Sequence, residues 1–130
     1  MDSQVYEALV IAVLSVNSYP LEKAWEMRAT LEKVELFNPT RLASLRKEEI
    51  GERLQQAGYD RGQFLTDLIA SRLQSVSQYL VELGLQSATH ILASGGTEEV
   101  RSMLIKTRGI GPTVIRNFLL LRGQGPERGG

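Results

Sequence analysis

Residues 107–114, TRGIGPTV, place two glycines two positions apart, followed by a proline and a threonine, between segments with helical periodicity. Glycine can adopt a positive φ or allow a close approach of the backbone to a partner, and proline is tolerated in the first helical turn. We therefore expect a tight turn that leaves backbone N–H groups exposed at the start of a new helix. Such groups, helped by the helix dipole, bind anions, and the natural anion is a nucleic-acid phosphate held without reading a base.

The candidate phosphate site consists of this turn and its flanking side chains. Ile110 would lie between the two helices, with two cations on one side of the site and the Thr113 hydroxyl on the other. The full set is Lys106, Arg108, Gly109, Ile110, Gly111, Pro112 and Thr113. The alternative is an ordinary turn between two helices, in which the glycines only end the first one. A single Gly-x-Gly pattern leaves both interpretations open.

Few other residues form a recognisable chemical pattern. His90 is the only histidine and has no acid near it in the sequence, which favours a packed or surface side chain over a catalyst. Asp60 is expected to accept a hydrogen bond at a helix start. The carboxylates within 47–49 and 98–99 suit the dipole at a helix start better than a metal pair. There is no Walker loop, dinucleotide fingerprint or nucleophile triad, so we expect no metal and no cofactor.

The elements that must position the turn are helices, because apolar residues recur at helical spacing almost everywhere. We predict an all-α, compact domain of seven or eight helices, with no convincing strand. The expected helices cover about 4–16, 20–35, a short segment after Asn38-Pro39 that carries Leu42 and Leu45, 46–58, 61–83, 87–93, 97–106 and 112–123.

Several residues are expected to begin or end these helices. The expected N-terminal caps are Asn38, Ser87 and Thr97, and the expected stops are Gly58, Gly84 and the pair Gly95-Gly96. In the second helix the side chains expected to face inward are Leu21, Ala24, Trp25, Leu31 and Val34. In the longest helix one apolar stripe is expected to comprise Phe64, Leu65, Leu68, Ile69, Leu73, Val76, Leu80 and Leu83.

The 130 residues suggest one domain, over residues 1–122, followed by a Gly-rich flexible tail over 123–130. The absence of cysteine excludes a disulfide framework and a cysteine-ligated cluster, and it is compatible with a cytoplasmic location. The N-terminus has acids where a signal peptide would have positive charge, and its apolar run is too short to span a membrane. Net charge is zero, but residues 97–130 carry six Lys/Arg against three Asp/Glu, which is a mild nucleic-acid signal.

Three blocks of the sequence together resemble the DNA glycosylase superfamily that includes endonuclease III. "MLIKTRGIGPTVIRNFLLL" is similar to its helix-hairpin-helix signature, and "LVIAVLSVNSYPLEKAWEMRATL" is similar to its opening helix pair. "LASLRKEEIGERLQQAGYDRG" is similar to its middle block, and the order and spacing of the three blocks match. The resemblance covers roughly residues 5–122 and implies the six-helix barrel half of these enzymes.

The resemblance also implies roles for individual residues. The hairpin residues from Arg108 to Thr113 would bind phosphates of one DNA strand. Asn17 stands where family members place a Gln or Asn that enters the duplex beside an extruded base, and Tyr19 could stack on a base. The alternative roles are helix capping for Asn17 and packing for Tyr19.

The catalytic residues of the family have no match in this chain. Thr113 stands where bifunctional members carry a Schiff-base lysine, and the chain ends before the position of the family's catalytic aspartate. Glu127 is the only acid in the tail, the second helical domain and the cluster cysteines are missing, and Thr107 replaces a frequent leucine.

The resulting expectation is a sequence-independent DNA-binding protein in a base-excision-repair context, without the catalytic Asp and Lys. The partner would be double-stranded DNA, intact or damaged, and not a membrane; the catalytic residues and the oligomeric state stay open. Two alternatives remain: an active monofunctional glycosylase whose acid comes from elsewhere, and a helical protein-interaction module.

Overall fold

A computed structural model of the chain describes the backbone of residues 3–123 and the side chains of residues 4–122. Over this range the chain forms nine helices and no strand, which confirms the predicted all-α class. The helices are α1 (Ser3–Leu14), α2 (Leu21–Glu26), α3 (Arg28–Lys33), α4 (Pro39–Ser44), α5 (Lys47–Gln56), α6 (Gln63–Leu83), α7 (Leu85–Ser94), α8 (Thr97–Leu104) and α9 (Pro112–Gly123). The tail is predicted over 123–130, but Gly123 is the last residue of α9. Residues 124–130, including Glu127, lie outside the described residues.

Helix α1 forms the centre of the core, as its apolar sequence predicts. All residues over 9–14 are fully buried, and α1 packs mainly against α9 while also contacting α2, α6 and α7. The Tyr6 hydroxyl shares a buried hydrogen bond with the Ser77 hydroxyl of α6. Burial raises the pKa of Tyr6 far above its usual value. The helix that begins at the candidate turn is thus packed against the most buried helix of the described chain.

The helix predicted over 20–35 is wrong as one element, because the chain breaks at Met27 into α2 and α3. At the break the Arg28 side chain donates from Nε to the Trp25 carbonyl oxygen at 2.8 Å, which occupies an acceptor of the helical ladder. The Arg28 guanidinium also lies over the Trp25 ring, 4.0 Å from its centroid. Of the side chains expected to face inward, Ala24 and Leu31 are buried and the others are half-buried.

Helix α6 is the longest and packs against α4 and α5. Asn38 caps α4 as predicted, because its side chain accepts a hydrogen bond from the Arg41 backbone N–H at 3.1 Å. Gly58 and Gly84 follow the ends of α5 and α6 with φ of 101° and 96°, so the predicted stops are confirmed. The first turn of α9 begins at Pro112, also as predicted.

Four finer predictions for the helices are wrong. Phe64 is 81% exposed and Leu83 is 44% exposed, because they lie at the ends of a 21-residue helix whose neighbours α4 and α5 have 6 and 10 residues. Ser87 does not cap α7, since that helix starts directly after Gly84. Thr97 is the first residue of α8 rather than its cap, which is Gly96.

None of the helices in the described range is long and apolar enough to cross a membrane.

Candidate functional site

The segment between α8 and α9 is a tight turn fixed by backbone hydrogen bonds. The Thr107 N–H donates to the Leu104 carbonyl at 3.0 Å, and the Ile110 N–H donates to the Thr107 carbonyl at 3.2 Å. Gly109 has a φ of 85°, a conformation that favours glycine, and Ile110 is only 4% exposed. The turn therefore buries the isoleucine between its glycines, as the sequence predicts.

The backbone N–H groups at the start of α9 have no acceptor in the described part of the chain. The first helical acceptor is the Gly111 carbonyl, which receives the Ile115 N–H at 3.1 Å. The N–H groups of Gly111, Thr113 and Val114 precede that ladder and donate to no described group. A Cβ added at Gly111 would meet nothing within 4 Å, so the space beside these donors is open. The arrangement can accept an anion.

The cations beside the turn are exposed and form no ion pair with any described residue. Lys106 and Arg108 precede the turn, and Arg116 lies one helical turn into α9. The four ion pairs found between described side chains lie elsewhere, and the one on α8 joins Arg101 to Glu98 near the other end of that helix. The local charge is therefore positive and uncompensated around the free N–H groups.

A fourth cation reaches the turn from α6. A Cβ built on Gly109 would lie 2.7 Å from Cγ and 2.9 Å from Nε of Arg72, so the arginine lies directly across the glycine. Arg72 is half-buried and has no hydrogen bond or ion pair to a described group. Sequence reasoning missed it because the contact joins residues 37 positions apart; the only signal was a cation within a largely apolar helix.

Asn17 lies in an exposed corner between α1 and α2 that has an unusual backbone. Asn17 and Ser18 have φ values of 56° and 72°, in the left-handed region that residues other than glycine rarely adopt. Arg61 holds this corner by donating from Nη1 to the Val16 carbonyl at 2.9 Å and from Nη2 to the Asn17 carbonyl at 2.6 Å. The side chain of Asn17 bonds no described group and does not cap α2, whose preceding residue, Pro20, also makes no side-chain cap.

Arg61 was expected inside the helix predicted over 61–83, but α6 begins two residues later at Gln63. The boundary shifts because Gly62 has a φ of 87° and Asp60 accepts the Gly62 N–H at 3.0 Å, which confirms the expected role of that carboxylate. The arginine therefore leaves the helix and reaches the α1–α2 corner, 44 positions away in sequence.

Tyr19 is packed into the same corner. Its hydroxyl donates to Sδ of Met27 at 3.2 Å, and its ring meets the Tyr59 ring edge-on with centroids 4.9 Å apart. The Arg61 guanidinium and the Lys23 ammonium lie 4.9 Å and 5.2 Å from its ring centroid. Burial raises the pKa of Tyr19 above its usual value, and the Arg61 charge opposes that shift. These contacts give Tyr19 a packing role, and stacking on a base stays a prediction.

One hydrogen bond links the corner to the helix that begins at the turn. Asn117 is buried on α9, one turn beyond Thr113, and donates from Nδ2 to the Ser15 carbonyl at 3.4 Å. Ser15 is two residues before Asn17. The two groups of candidate residues are thus connected through the end of α1.

No protein-family model matches the chain, and comparison with curated proteins and with solved structures also finds no match. The resemblance to the endonuclease III superfamily therefore stays a prediction from the three sequence blocks.

Proposed function

We propose that this chain binds double-stranded DNA through its phosphates, without reading the base sequence, by means of the α8–α9 turn acting as a helix-hairpin-helix motif. The observation that carries the proposal is the row of free N–H groups at Gly111, Thr113 and Val114 beside an open space. Lys106 and Arg108 add positive charge that no described carboxylate neutralises. Backbone donors and cations without base-reading side chains favour phosphate contacts that position a protein on DNA.

The context we propose is base-excision repair, on the strength of the three sequence blocks. Asn17 would enter the duplex at a mismatched or damaged position, since it is exposed and its side chain is free of described partners. Position 113 is a threonine and supplies no amine, so the proposal includes no covalent step on the sugar.

The test is the salt dependence of binding to duplexes of unrelated sequence, followed by fluorescence anisotropy of labelled DNA. A patch of this size gives about 2–4 phosphate contacts, so log K should fall with log[salt] with a slope between about −2 and −4. Affinity should be similar for all sequences. Binding that does not depend on salt, or no binding at low salt, contradicts the proposal.

A matched pair of double variants locates the surface. Lys106→Gln/Arg108→Gln removes two cations at the turn. Lys33→Gln/Lys47→Gln removes two exposed cations, at the end of α3 and at the start of α5. Because both pairs change net charge equally, only the loss of local contacts distinguishes them. The Lys106/Arg108 variant should reduce the magnitude of the salt slope by about 2, and the Lys33/Lys47 variant should leave it nearly unchanged.

The groove between α8 and α9 favours a second candidate function, a protein-interaction module. It has a volume of about 560 Å³ and is lined by Arg101, Pro112, Ile115, Arg116, Leu119 and Leu120. Leu120 is 46% exposed, which leaves apolar surface beside two arginines. Under this alternative Leu120→Gln would abolish partner binding and the chain would have no salt-dependent affinity for DNA.

A further inference from the structure

The guanidinium of Arg72 is a charge that no described carboxylate pairs with. Arg72 lies on α6 and is half-buried, so it loses part of its hydration without gaining a described carboxylate in return. The acids on its own helix are Asp67, which accepts a hydrogen bond from Gln63 at 3.1 Å, and Glu82, ten residues on. Neither is one helical turn from Arg72. A partly desolvated cation without a carboxylate partner is unfavourable unless an anion from outside the chain compensates its charge.

Because Gly109 has no side chain, the Arg72 stem can lie directly against the turn. A Cβ there would come within 2.7 Å of Cγ and 2.9 Å of Nε of the arginine, closer than such contacts allow. Gly109 therefore does two things: it adopts a φ of 85°, and it admits the arginine stem. As a result the guanidinium is placed next to the segment that carries Arg108 and the free Gly111 N–H.

A second unsatisfied group is found at the same turn. The Thr107 hydroxyl is buried, at 5% exposure for the residue, and its oxygen has no hydrogen-bond partner among the described residues. Buried polar atoms normally find a partner, so this hydroxyl is an exception within the turn. The free N–H groups and the exposed cations of the turn favour an anion as its ligand.

We propose that Arg72 is a phosphate-binding residue, which supplies a guanidinium from α6 to the site formed by the α8–α9 turn. The ligand is a phosphodiester group of the DNA backbone, held between the Arg72 guanidinium and the Gly111 and Thr113 N–H groups. An arginine suits this place because its planar donors match two phosphate oxygens at once. The proposal rests on the proposed DNA binding, which it extends by a cation from a helix outside the turn.

The test compares two variants that remove the charge and keep the part of the stem that packs on Gly109. Arg72→Met and Arg72→Gln both retain Cβ and Cγ, so they should fold like the parent chain, which thermal unfolding checks. Loss of one phosphate contact reduces the magnitude of the salt slope by about 0.9 and lowers the affinity roughly eightfold at 0.1 M salt. Arg46→Met and Arg46→Gln are the controls, because Arg46 is 75% exposed and precedes α5, away from the turn. They should leave the slope nearly unchanged.

The outcomes separate the two proposals. If the parent chain binds DNA with the expected slope and the two Arg72 variants keep that slope, Arg72 is not a phosphate contact, while the proposed function stands. If the parent chain has no salt-dependent affinity for duplex DNA, the proposed function fails and the Arg72 assignment fails with it. A reduced slope in both Arg72 variants, with unchanged thermal stability and unchanged Arg46 controls, supports the assignment.

Discussion

Gly109 and Gly111 lie two positions apart, yet their surroundings differ. Gly109 has a positive φ and contacts the Arg72 stem, whereas Gly111 has neither a positive φ nor any atom within 4 Å of an added Cβ. The first glycine is required by the fold, and the second leaves room for a ligand. The sequence alone predicts a turn at this place but does not distinguish the two roles.

This difference predicts that one substitution affects DNA binding and the other affects stability. Gly111→Val should leave thermal stability nearly unchanged and weaken binding to all duplexes, because a branched side chain blocks the approach of a phosphate to the N–H groups. Gly109→Ala should lower the free energy of unfolding by roughly 1–3 kcal/mol, since it adds backbone strain and a contact with Arg72. Thermal unfolding and DNA anisotropy measured on both variants test this. A Gly111→Val variant that folds and binds DNA like the parent chain contradicts it.

For Asn17 the structure determines which substitution is informative. At a φ of 56°, alanine would be strained by roughly 1 kcal/mol, so a loss of stability in Asn17→Ala would say nothing about capping. Asn17→Gly removes the same side chain and tolerates this backbone. It should keep the thermal stability and reduce the preference for abasic or mismatched duplex over intact duplex.

The matched control for Asn17 is Ser18→Gly, which removes the neighbouring side chain at a φ of 72°. It should leave the preference among duplexes unchanged. Competition binding between abasic and intact duplex measures both variants. If Asn17→Gly keeps the preference of the parent chain, Asn17 does not probe the duplex.

At the scale of elements, the α1–α2 corner depends on a side chain from the segment before α6. Arg61→Met removes the hydrogen bonds to the Val16 and Asn17 carbonyls and should lower the free energy of unfolding by about 2 kcal/mol, since donors with a formal charge contribute more than neutral ones. Urea unfolding measures this. Arg61→Lys should recover part of the loss, and Arg46→Met, on an exposed residue, should change stability by less than about 0.5 kcal/mol. Equal effects of Arg61→Met and Arg46→Met would show that the corner does not depend on Arg61.

Helix boundaries set by local chemistry could be predicted from the sequence, and those set by distant contacts could not. Asn38, Gly58 and Pro112 act through groups within a few residues, so their types predict where helices begin or end. The exit of Arg61 from α6 depends on partners 44 and 45 positions away. The break at Met27 is local, but the residue types there do not predict that the Arg28 side chain bonds the Trp25 carbonyl. For the candidate site the same limit applies: the turn is visible in the sequence, but Arg72 reaches it from another helix.

At the scale of the whole molecule, the buried tyrosines predict how stability changes in alkali. Burial raises the pKa of Tyr6 and, with Arg61 opposing the shift, that of Tyr59, so the fold holds both phenols protonated. The unfolded chain releases these protons near pH 10, and their contribution to stability is therefore full below that pH and lost above it. For Tyr6, whose pKa is raised far above the usual value, the loss should amount to about 1.4 kcal/mol per pH unit.

The measurement is urea unfolding between pH 9 and about 11 in steps small enough to give a slope. The Tyr59 hydroxyl also donates to the Leu14 carbonyl at 2.7 Å, so Tyr6 is the better residue to change. Tyr6→Phe should clearly reduce the pH dependence, and Tyr19 and Tyr59 should account for the remainder. An unchanged slope in that variant would mean that Tyr6 is not the group responsible.

The placement of Trp25 gives the molecule a built-in optical reporter. It is the only tryptophan, it is stacked with Arg28 at the Met27 break, and Met27 in turn contacts Tyr19 at the corner. Trp25 therefore lies on α2 two residues from Met27, a side chain of the corner, whereas the α8–α9 turn lies on other helices. DNA that engages only the turn should leave the emission spectrum unchanged, and DNA that also reaches Asn17 should shift or quench it. A single titration could thus show which of the two surfaces a given duplex occupies.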